Sequence, residues 1–223
     1  MSAKDVIKSV IWDFCNGIDN LRVVDSILDD LFGKYWPSDE QVSDPAIMAY
    51  YRGVVVPHKV EVYKAGIEIG TKLGGSKWSI PSDFIGQLLH HDLSKFSKEE
   101  AAYATHNFKD KSQNSEQQVI DFEVAWNHHK HHNPHHPEHW ICIRMDGGLD
   151  QVLPMPYKYV LEMVADWVGA GRTYGNTLEN WLPNNIQSFL FHDETINHLQ
   201  FILGTAFGIK IKHSGNGKCE IIA

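Results

Sequence analysis

The 223-residue sequence has only three cysteines, and their spacing is that of ordinary thiols. Cys15, Cys142 and Cys219 lie far apart and form no C-x-x-C pair, so neither a disulfide framework nor a zinc finger is indicated. Four residues follow Cys219, where a prenylation signal has three. We therefore expect reduced cysteines and a cytoplasmic protein.

Long apolar runs and clusters of positive charge are also missing. No stretch approaches the roughly 18 consecutive apolar residues of a membrane span, and MSAKDVIKSV lacks the basic-then-apolar order of a secretory signal. The formal net charge is −8, and no run of Lys and Arg interrupts it. This balance argues against bulk nucleic-acid binding, and we expect no membrane partner either. The composition leaves the oligomeric state open.

The residues that are present have the composition of an ordinary globular domain, 43% hydrophobic and 22% charged. Apolar residues recur mainly at helical spacing, which predicts an all-α fold. We divide it into a helical extension over residues 1–45, one helical domain over 46–207 and a frayed tail over 208–223.

Punctuating residues predict where the helices begin and end. Two helices fill the extension, the second over the apolar positions from Val23 to Phe32. Asp44-Pro45 has the form of an N-cap followed by proline at the first helical position, and Pro57 is expected to reset the chain before a second helical run. Ser97 with Glu100, and Ser115 with Gln118, have the form of capping boxes. We predict a loop or short hairpin over 141–156, a helix over 157–169 and a last helix over 194–207.

The strongest chemical signal is a histidine-rich tract. Half of the 14 histidines lie between His128 and His139, in HHKHHNPHHPEH. Imidazole with carboxylate suits Zn, Fe, Mn or Co, whereas a solvated surface tract is the alternative reading of this segment alone. We expect His129 and His136 to bind metal and His128, His131 and His132 to be dispensable, because these three turn away from the apolar helix face or lie at the helix end.

A second signal is the pair His91-Asp92 in HHDLSKF. Steps of 100° per residue place both on the face formed by Phe84, Ile85, Leu88 and Leu89, so we expect them to point inward. A carboxylate on an apolar face is costly unless it is paired or binds a metal, which favours Asp92 as a ligand. Similar spacing turns His129 and Asp166 toward the core.

The order of an early His, an adjacent His-Asp pair, further His and a late Asp resembles the HD-domain metal-dependent phosphohydrolase superfamily. HDLSKF, AWNHHKHHNPHHPEHW and EMVADW together resemble an uncharacterised HD-like family more closely. The resemblance implies an HD-like helical bundle that binds one or two divalent transition-metal ions. The implied ligands are His58, His91, Asp92, His129, His135, His136 and Asp166.

Three functions remain open for this ligand set. The first is hydrolysis of a small phosphorylated compound, with a nucleotide as the leading substrate, in which Asp92 bridges two ions. Lys95, Asn133 and Arg172 are the candidate substrate-binding residues, with Lys95 and Asp92 as the catalytic pair. The second is a mixed-valence diiron oxygenase of the same superfamily, and the third is a non-catalytic metal-binding protein.

Overall fold

The computed structural model describes residues 2–14, 28–29, 32–74, 80–148 and 151–222. Helices dominate these residues, and the only strands among them form two small antiparallel hairpins, so the all-α prediction is confirmed. The chain divides into two compact units. The first unit consists of Met1–Val60 and Leu89–His132, and the second unit consists of Glu61–Leu88 and Asn133–Ala223. The predicted division at residues 45 and 207 stays a prediction.

The first unit contains short helices and one long one. Its α-helices are α1 (Ala3–Phe14), α2 (Asp39–Ser43), α3 (Pro45–Tyr50), the first residues of α4 (Val56–Leu73) and α6 (Glu116–His132). A π-helical turn covers Tyr51–Val55, and 3-10 helices cover Gly33–Tyr35, Leu93–Phe96, Lys98–Ala104 and Lys111–Gln113. The predicted helix from Val23 lies largely outside the described residues.

Side-chain caps set two of these starts as predicted. The Asp44 carboxylate accepts the backbone N–H of Ala46 at 2.7 Å, ahead of Pro45 at the first helical position. At the start of α6, the Ser115 and Gln118 side chains accept each other's backbone N–H groups at 3.2 and 2.9 Å. Local hydrogen bonding therefore determines both boundaries.

The prediction that Pro57 resets the chain is wrong. The helical path continues from α3 through the π-helical turn into α4, with Pro57 at the second position of α4. Proline has no N–H to give to the carbonyl four residues earlier, and the wider turn before it, closed by the Val56 N–H to the Tyr51 carbonyl, accommodates that loss. His58 therefore lies three residues after the end of a π-helical turn rather than at a new helix start.

The core of the first unit combines apolar and aromatic side chains with a polar tie. Its buried members are Ile7, Val10, Leu28, Phe32, Ile47, Tyr51, Val55, Val56, Leu93 and Phe96. The buried Gln41 amide donates to the Tyr51 hydroxyl at 3.0 Å and to the Phe96 carbonyl at 3.2 Å, and the Tyr51 hydroxyl donates to the same carbonyl at 3.1 Å. This tie holds the backbone just after Lys95.

The second unit surrounds a larger apolar core. It contains most of α4, α5 (Phe84–His90) up to Leu88, α7 (Tyr157–Tyr174), α8 (Leu178–Asn185) and α9 (Asp193–Phe207). Gly169 on α7 lies so close to α4 that an added Cβ would be 2.6 Å from the Val62 backbone nitrogen. Short 3-10 helices cover Pro137–Trp140 and Ile186–Ser188, and β1 (Ile141–Cys142) pairs with β2 (Gln151–Val152) as the predicted hairpin.

Two boundaries in this unit differ from prediction. Helix α7 continues past Gly169 to Tyr174, where Gly175 ends it in the left-handed conformation. The tail is not frayed, because β3 (Lys210–Gly215) and β4 (Lys218–Ile222) form an antiparallel hairpin that buries Ile211 and Cys219. Within the described residues, no helix combines the length and the apolar character needed to cross a bilayer.

Candidate metal centre

The His-Asp pair lies in a turn rather than on a helix. Helix α5 ends at His90, and Asp92 has the left-handed backbone conformation, with φ 54° and ψ 23°. A non-glycine residue in this region is strained, and such strain often occurs at functional sites. The Asp92 carbonyl accepts the Lys95 backbone N–H at 3.1 Å and starts the following 3-10 helix.

The inward direction of the pair is nevertheless as predicted, since His91 and Asp92 are each 1% exposed. The helical-face argument behind it holds only in part. Phe84 and Leu88 are buried, but Ile85 and Leu89 are exposed. The left-handed turn, and not the phase of α5, directs Asp92 inward.

Two buried imidazoles, those of His58 and His91, meet at one oxygen of the Asp92 carboxylate. Nε2 of His58 lies 3.6 Å from Oδ2 of Asp92, and Nε2 of His91 lies 3.5 Å from the same oxygen. The two Nε2 atoms are 3.3 Å apart. Helix α4 and the turn after α5 therefore bring His58, His91 and Asp92 together in the first unit.

His129, on α6 of the same unit, approaches the other carboxylate oxygen. Nε2 of His129 lies 3.4 Å from Oδ1 of Asp92, and His129 is only 2% exposed to solvent. Its Nδ1 donates to Oε2 of Glu100 at 2.8 Å. A carboxylate accepts only, so the proton of a neutral imidazole is on Nδ1 and the Nε2 lone pair faces Asp92.

Glu100 has a role that differs from the predicted capping box. It is completely buried, and its Oε1 accepts from Nδ1 of His128 at 2.8 Å while Oε2 holds His129. The residues from Lys98 form a 3-10 helix without a side-chain cap from Ser97. The Glu100 carboxylate therefore holds two imidazoles instead of capping the helix, and these hydrogen bonds satisfy its buried oxygens.

Lys95 contacts the candidate centre directly. Its ammonium lies 2.8 Å from Oδ2 of Asp92, and its side chain is 15% exposed. The same ammonium lies 5.7 Å from the ring centroid of Tyr103, within cation–π range. The Lys95 ammonium is thus held at the edge of the histidine–aspartate cluster.

The charges around the cluster set the protonation states of its possible metal ligands. Burial alone would raise the pKa of Asp92, but His91, Lys95 and His129 outweigh it and hold that pKa well below its usual value. Burial alone would lower the pKa of Lys95, and Asp92 reverses this, so the pKa is raised. For His129, burial lowers the pKa against the opposing effect of Asp92 and Glu100. Asp92 is therefore ionised and the His129 imidazole neutral, the states in which each binds metal.

The separations fit a shared ion. Two ligand atoms about 2.1 Å from one ion and a tetrahedral angle apart lie about 3.4 Å from each other. Nε2 of His58, Nε2 of His91 and Oδ2 of Asp92 lie 3.3 to 3.6 Å from one another. Two imidazoles and a carboxylate are donors typical of a transition-metal site, and His129 adds a third imidazole at the other carboxylate oxygen. The buried cluster is therefore able to hold a metal ion.

The second unit holds the other predicted ligands. His135 is buried, with Nδ1 3.1 Å from Oε1 of Glu162 and Nε2 3.9 Å from Oδ2 of Asp166. The ring of His136 lies 4.3 Å from that of His135, centroid to centroid. Their roles as ligands stay predictions.

The backbone around these histidines is held locally. Asn133 is buried, and its carbonyl accepts the His136 N–H at 3.1 Å. The indole N–H of Trp140 donates to the Pro134 carbonyl at 2.8 Å, which closes the segment. A substrate-binding role for the Asn133 side chain stays a prediction.

Arg172 is engaged by carboxylates of the second unit. Its guanidinium donates to both oxygens of Glu68, at 3.0 and 2.6 Å, from α7 to α4. This bidentate pair has the geometry that Arg forms with a carboxylate or a phosphate. The predicted phosphate contact would require Arg172 to release Glu68.

Sequence reasoning missed the two glutamates that hold the histidines. The spacing of Ser97 and Glu100 predicts a helix cap for Glu100, and the EMVADW motif by itself does not single out Glu162. Glu162 is buried and also accepts a short hydrogen bond from the Gln87 amide. Its signal was available, since position 162 lies among apolar residues of α7, where a carboxylate needs a partner.

The fold and the cluster define an all-helical protein with buried histidines and an aspartate able to hold a metal ion. The model of the family of unknown function DUF5662 matches residues 48–205, so the chain belongs to this family. No curated protein and no solved structure matches the chain. The matched range contains every residue predicted for the site, together with Glu100 and Glu162.

Proposed function

We propose that this protein is a metal-dependent phosphohydrolase for a small phosphorylated compound, with a nucleotide as the leading substrate. One observation carries the proposal. A buried carboxylate, that of Asp92, is approached both by three imidazoles and by the Lys95 ammonium. The imidazoles and carboxylate suit a transition metal, and the lysine suits a phosphoryl oxygen.

In this proposal His58, His91, Asp92 and His129 hold the ion. When bound, a divalent transition-metal ion supplies an activated water and a Lewis acid for phosphoester cleavage. Glu100 fixes the orientation and the tautomer of the His129 ring, so that Nε2 points at the ion. Little side-chain conformational entropy is then lost when the ion binds. The sequence-predicted ligands His135, His136 and Asp166, and a second ion, extend the proposal but are not needed for it.

Lys95 is the residue that favours phosphoryl chemistry. Its ammonium lies 2.8 Å from Asp92, and a rotation of its flexible stem brings it to a phosphoryl oxygen in place of Oδ2. There it stabilises the negative charge that develops on the phosphoryl group. The low exposure of the site strengthens this attraction, because little water screens it.

The test is a panel of phosphoesters assayed with Mn, Fe, Co and Zn, using wild type, Lys95→Met and Lys98→Met. Lys98 is an exposed lysine three residues further along, so it controls for loss of charge. We expect Lys95→Met to lower kcat by about 10²-fold with its metal retained, and Lys98→Met to match wild type.

Other outcomes overturn the proposal. A half-integer-spin signal from an Fe(II)/Fe(III) pair in paramagnetic resonance, without phosphoester turnover, would support the oxygenase. Stable metal binding with no turnover anywhere in the panel would support a non-catalytic metal-binding protein. Equal activities of the two lysine variants would remove the phosphoryl role of Lys95.

A further inference from the structure

Two histidines outside the buried cluster stack on each other on α6. The rings of His128 and His132 lie 3.9 Å apart, centroid to centroid, with 22° between their planes. The two residues are one helical turn apart, so they share a face of the helix. The side chain of His128 is 20% exposed, and His132 is an exposed residue, so solvent reaches the pair.

Hydrogen bonds fix the same tautomer in both rings. Nδ1 of His128 donates to Oε1 of Glu100 at 2.8 Å, and Nδ1 of His132 donates to the His128 carbonyl at 2.8 Å. A carboxylate and a carbonyl only accept, so each neutral ring carries its proton on Nδ1. Each Nε2 therefore presents a lone pair, and neither has a hydrogen-bond partner among the described residues.

We propose that His128 and His132 form an outer transition-metal site, separate from the buried cluster. Two imidazoles one turn apart on a helix are a recurring pair of zinc ligands, and nitrogen donors favour ions such as Zn²⁺, Ni²⁺ or Cu²⁺. Both rings have their Nδ1 anchored, so little side-chain freedom is lost when Nε2 binds. Solvent supplies the remaining ligands.

His131 provides an internal contrast. It is exposed, and its Nδ1 donates to the Asn127 carbonyl at 2.7 Å, so its Nε2 is presented in the same tautomer. Among the described residues, however, its ring stacks on no other histidine. A single imidazole lacks the chelate advantage, because no second donor binds intramolecularly.

The outer site shares an anchor with the buried cluster, because Oε2 of Glu100 holds His129 while Oε1 holds His128. The outer site does not depend on the proposed phosphohydrolase activity. Its donors are the Nε2 atoms of His128 and His132, and neither belongs to the ligands assigned to that activity.

The experiment measures retention of the untagged full-length chain on immobilised Cu²⁺, together with Zn²⁺ binding by equilibrium dialysis. Wild type, His132→Ala and His131→Ala are compared. We expect His132→Ala to lose retention and to weaken the outer class of Zn²⁺ binding by about 10²-fold, as expected when one of two linked donors is lost. His131→Ala should behave as wild type.

The two measurements distinguish the outer site from the buried cluster. Metal that survives dialysis against a chelator reports the buried cluster, whereas retention on the resin requires exposed imidazoles. Equal retention of all three proteins, or equal losses in His131→Ala and His132→Ala, would overturn the outer site. A failure of the buried centre would instead appear as the absence of chelator-resistant metal in wild type.

Discussion

One buried histidine in each unit has carboxylates near both of its ring nitrogens, and the two arrangements differ in how close these carboxylates lie. In the first unit, His129 donates to Glu100 at 2.8 Å and directs Nε2 at Asp92 from 3.4 Å. In the second unit, His135 lies 3.1 Å from Glu162 and 3.9 Å from Asp166.

The surroundings explain this difference. Asp92 has a 2% exposed side chain and is balanced by imidazoles and by Lys95, whereas the Asp166 side chain is 16% exposed. Glu162 lies on α7 among apolar core residues, and its carboxylate also accepts a hydrogen bond from the Gln87 amide. Nearby charges therefore compensate the buried carboxylate beside His129, whereas solvent reaches part of the Asp166 carboxylate beside His135.

The largest effect should come from the aspartates, compared as Asp92→Asn and Asp166→Asn. Asp92→Asn leaves the Lys95 ammonium without its carboxylate, so we expect a loss of about 3–5 kcal/mol in the free energy of unfolding. Metal content should fall to near zero. Asp166→Asn should retain most of its stability because this side chain is partly exposed. The measurements are the metal content per chain and the melting temperature of each variant.

The control is the double variant Asp92→Asn/Lys95→Met. Removing both partners should restore part of the stability lost by the single variant, and a double-mutant cycle reports this coupling. Equal melting temperatures and equal metal content of Asp92→Asn and Asp166→Asn would contradict the difference between the two units.

A smaller effect is expected from the glutamates that hold the imidazoles. Glu100→Gln keeps only one of the two oxygens that accept from His128 and His129 and replaces the other with an NH2 group, so we expect about 10–100-fold weaker binding of the buried ion. Glu162→Gln should leave this affinity close to that of wild type, because Glu162 contacts His135 of the second unit and no residue assigned to this ion. Competition with a chelating dye measures both affinities. The exposed neighbour Glu99 is the control, and a Glu99→Gln effect as large as that of Glu100→Gln would refute the positioning role.

Low pH should destabilise the second unit through His198, which belongs neither to the His129 arrangement nor to the His135 arrangement. Burial lowers the pKa of His198 below 6.5, against weaker opposing effects of Glu194 and the Met155 backbone. The unfolded chain then binds more protons than the folded chain, so stability falls as the pH drops below the unfolded value of 6.5. His198→Phe should flatten this slope in melts of chelator-treated protein. An unchanged slope would show that His198 does not set it.

The smallest effect concerns the thiols and tests whether the C-terminal hairpin stays packed. Burial raises the pKa of Cys219 to about 11, whereas Cys142 is exposed. In a Cys15→Ser background, we expect Cys142 to react with a thiol reagent at once and Cys219 to react only in denaturant. Rapid modification of two thiols in the native protein would mean that β3 and β4 open readily.

Local chemistry made much of the fold predictable. Asp44-Pro45 and the pair Ser115 and Gln118 set helix starts by hydrogen bonds between residues close in sequence, and these predictions are confirmed. The last helix was predicted over 194–207 and begins one residue earlier. Where a boundary depended on the backbone path instead, as at Pro57, the prediction was wrong.

Composition and periodicity were enough to predict the helical class, the metal-binding chemistry of the histidine-rich tract and the inward direction of His129, because they are properties of neighbouring residues. The folded structure was needed to show that Asp92 turns inward through a left-handed residue and that Glu100 holds two imidazoles. The Glu100 contacts join α6 to the segment after α5. Glu100 is 28 and 29 residues away from His128 and His129, so spacing along the chain does not show that these side chains meet.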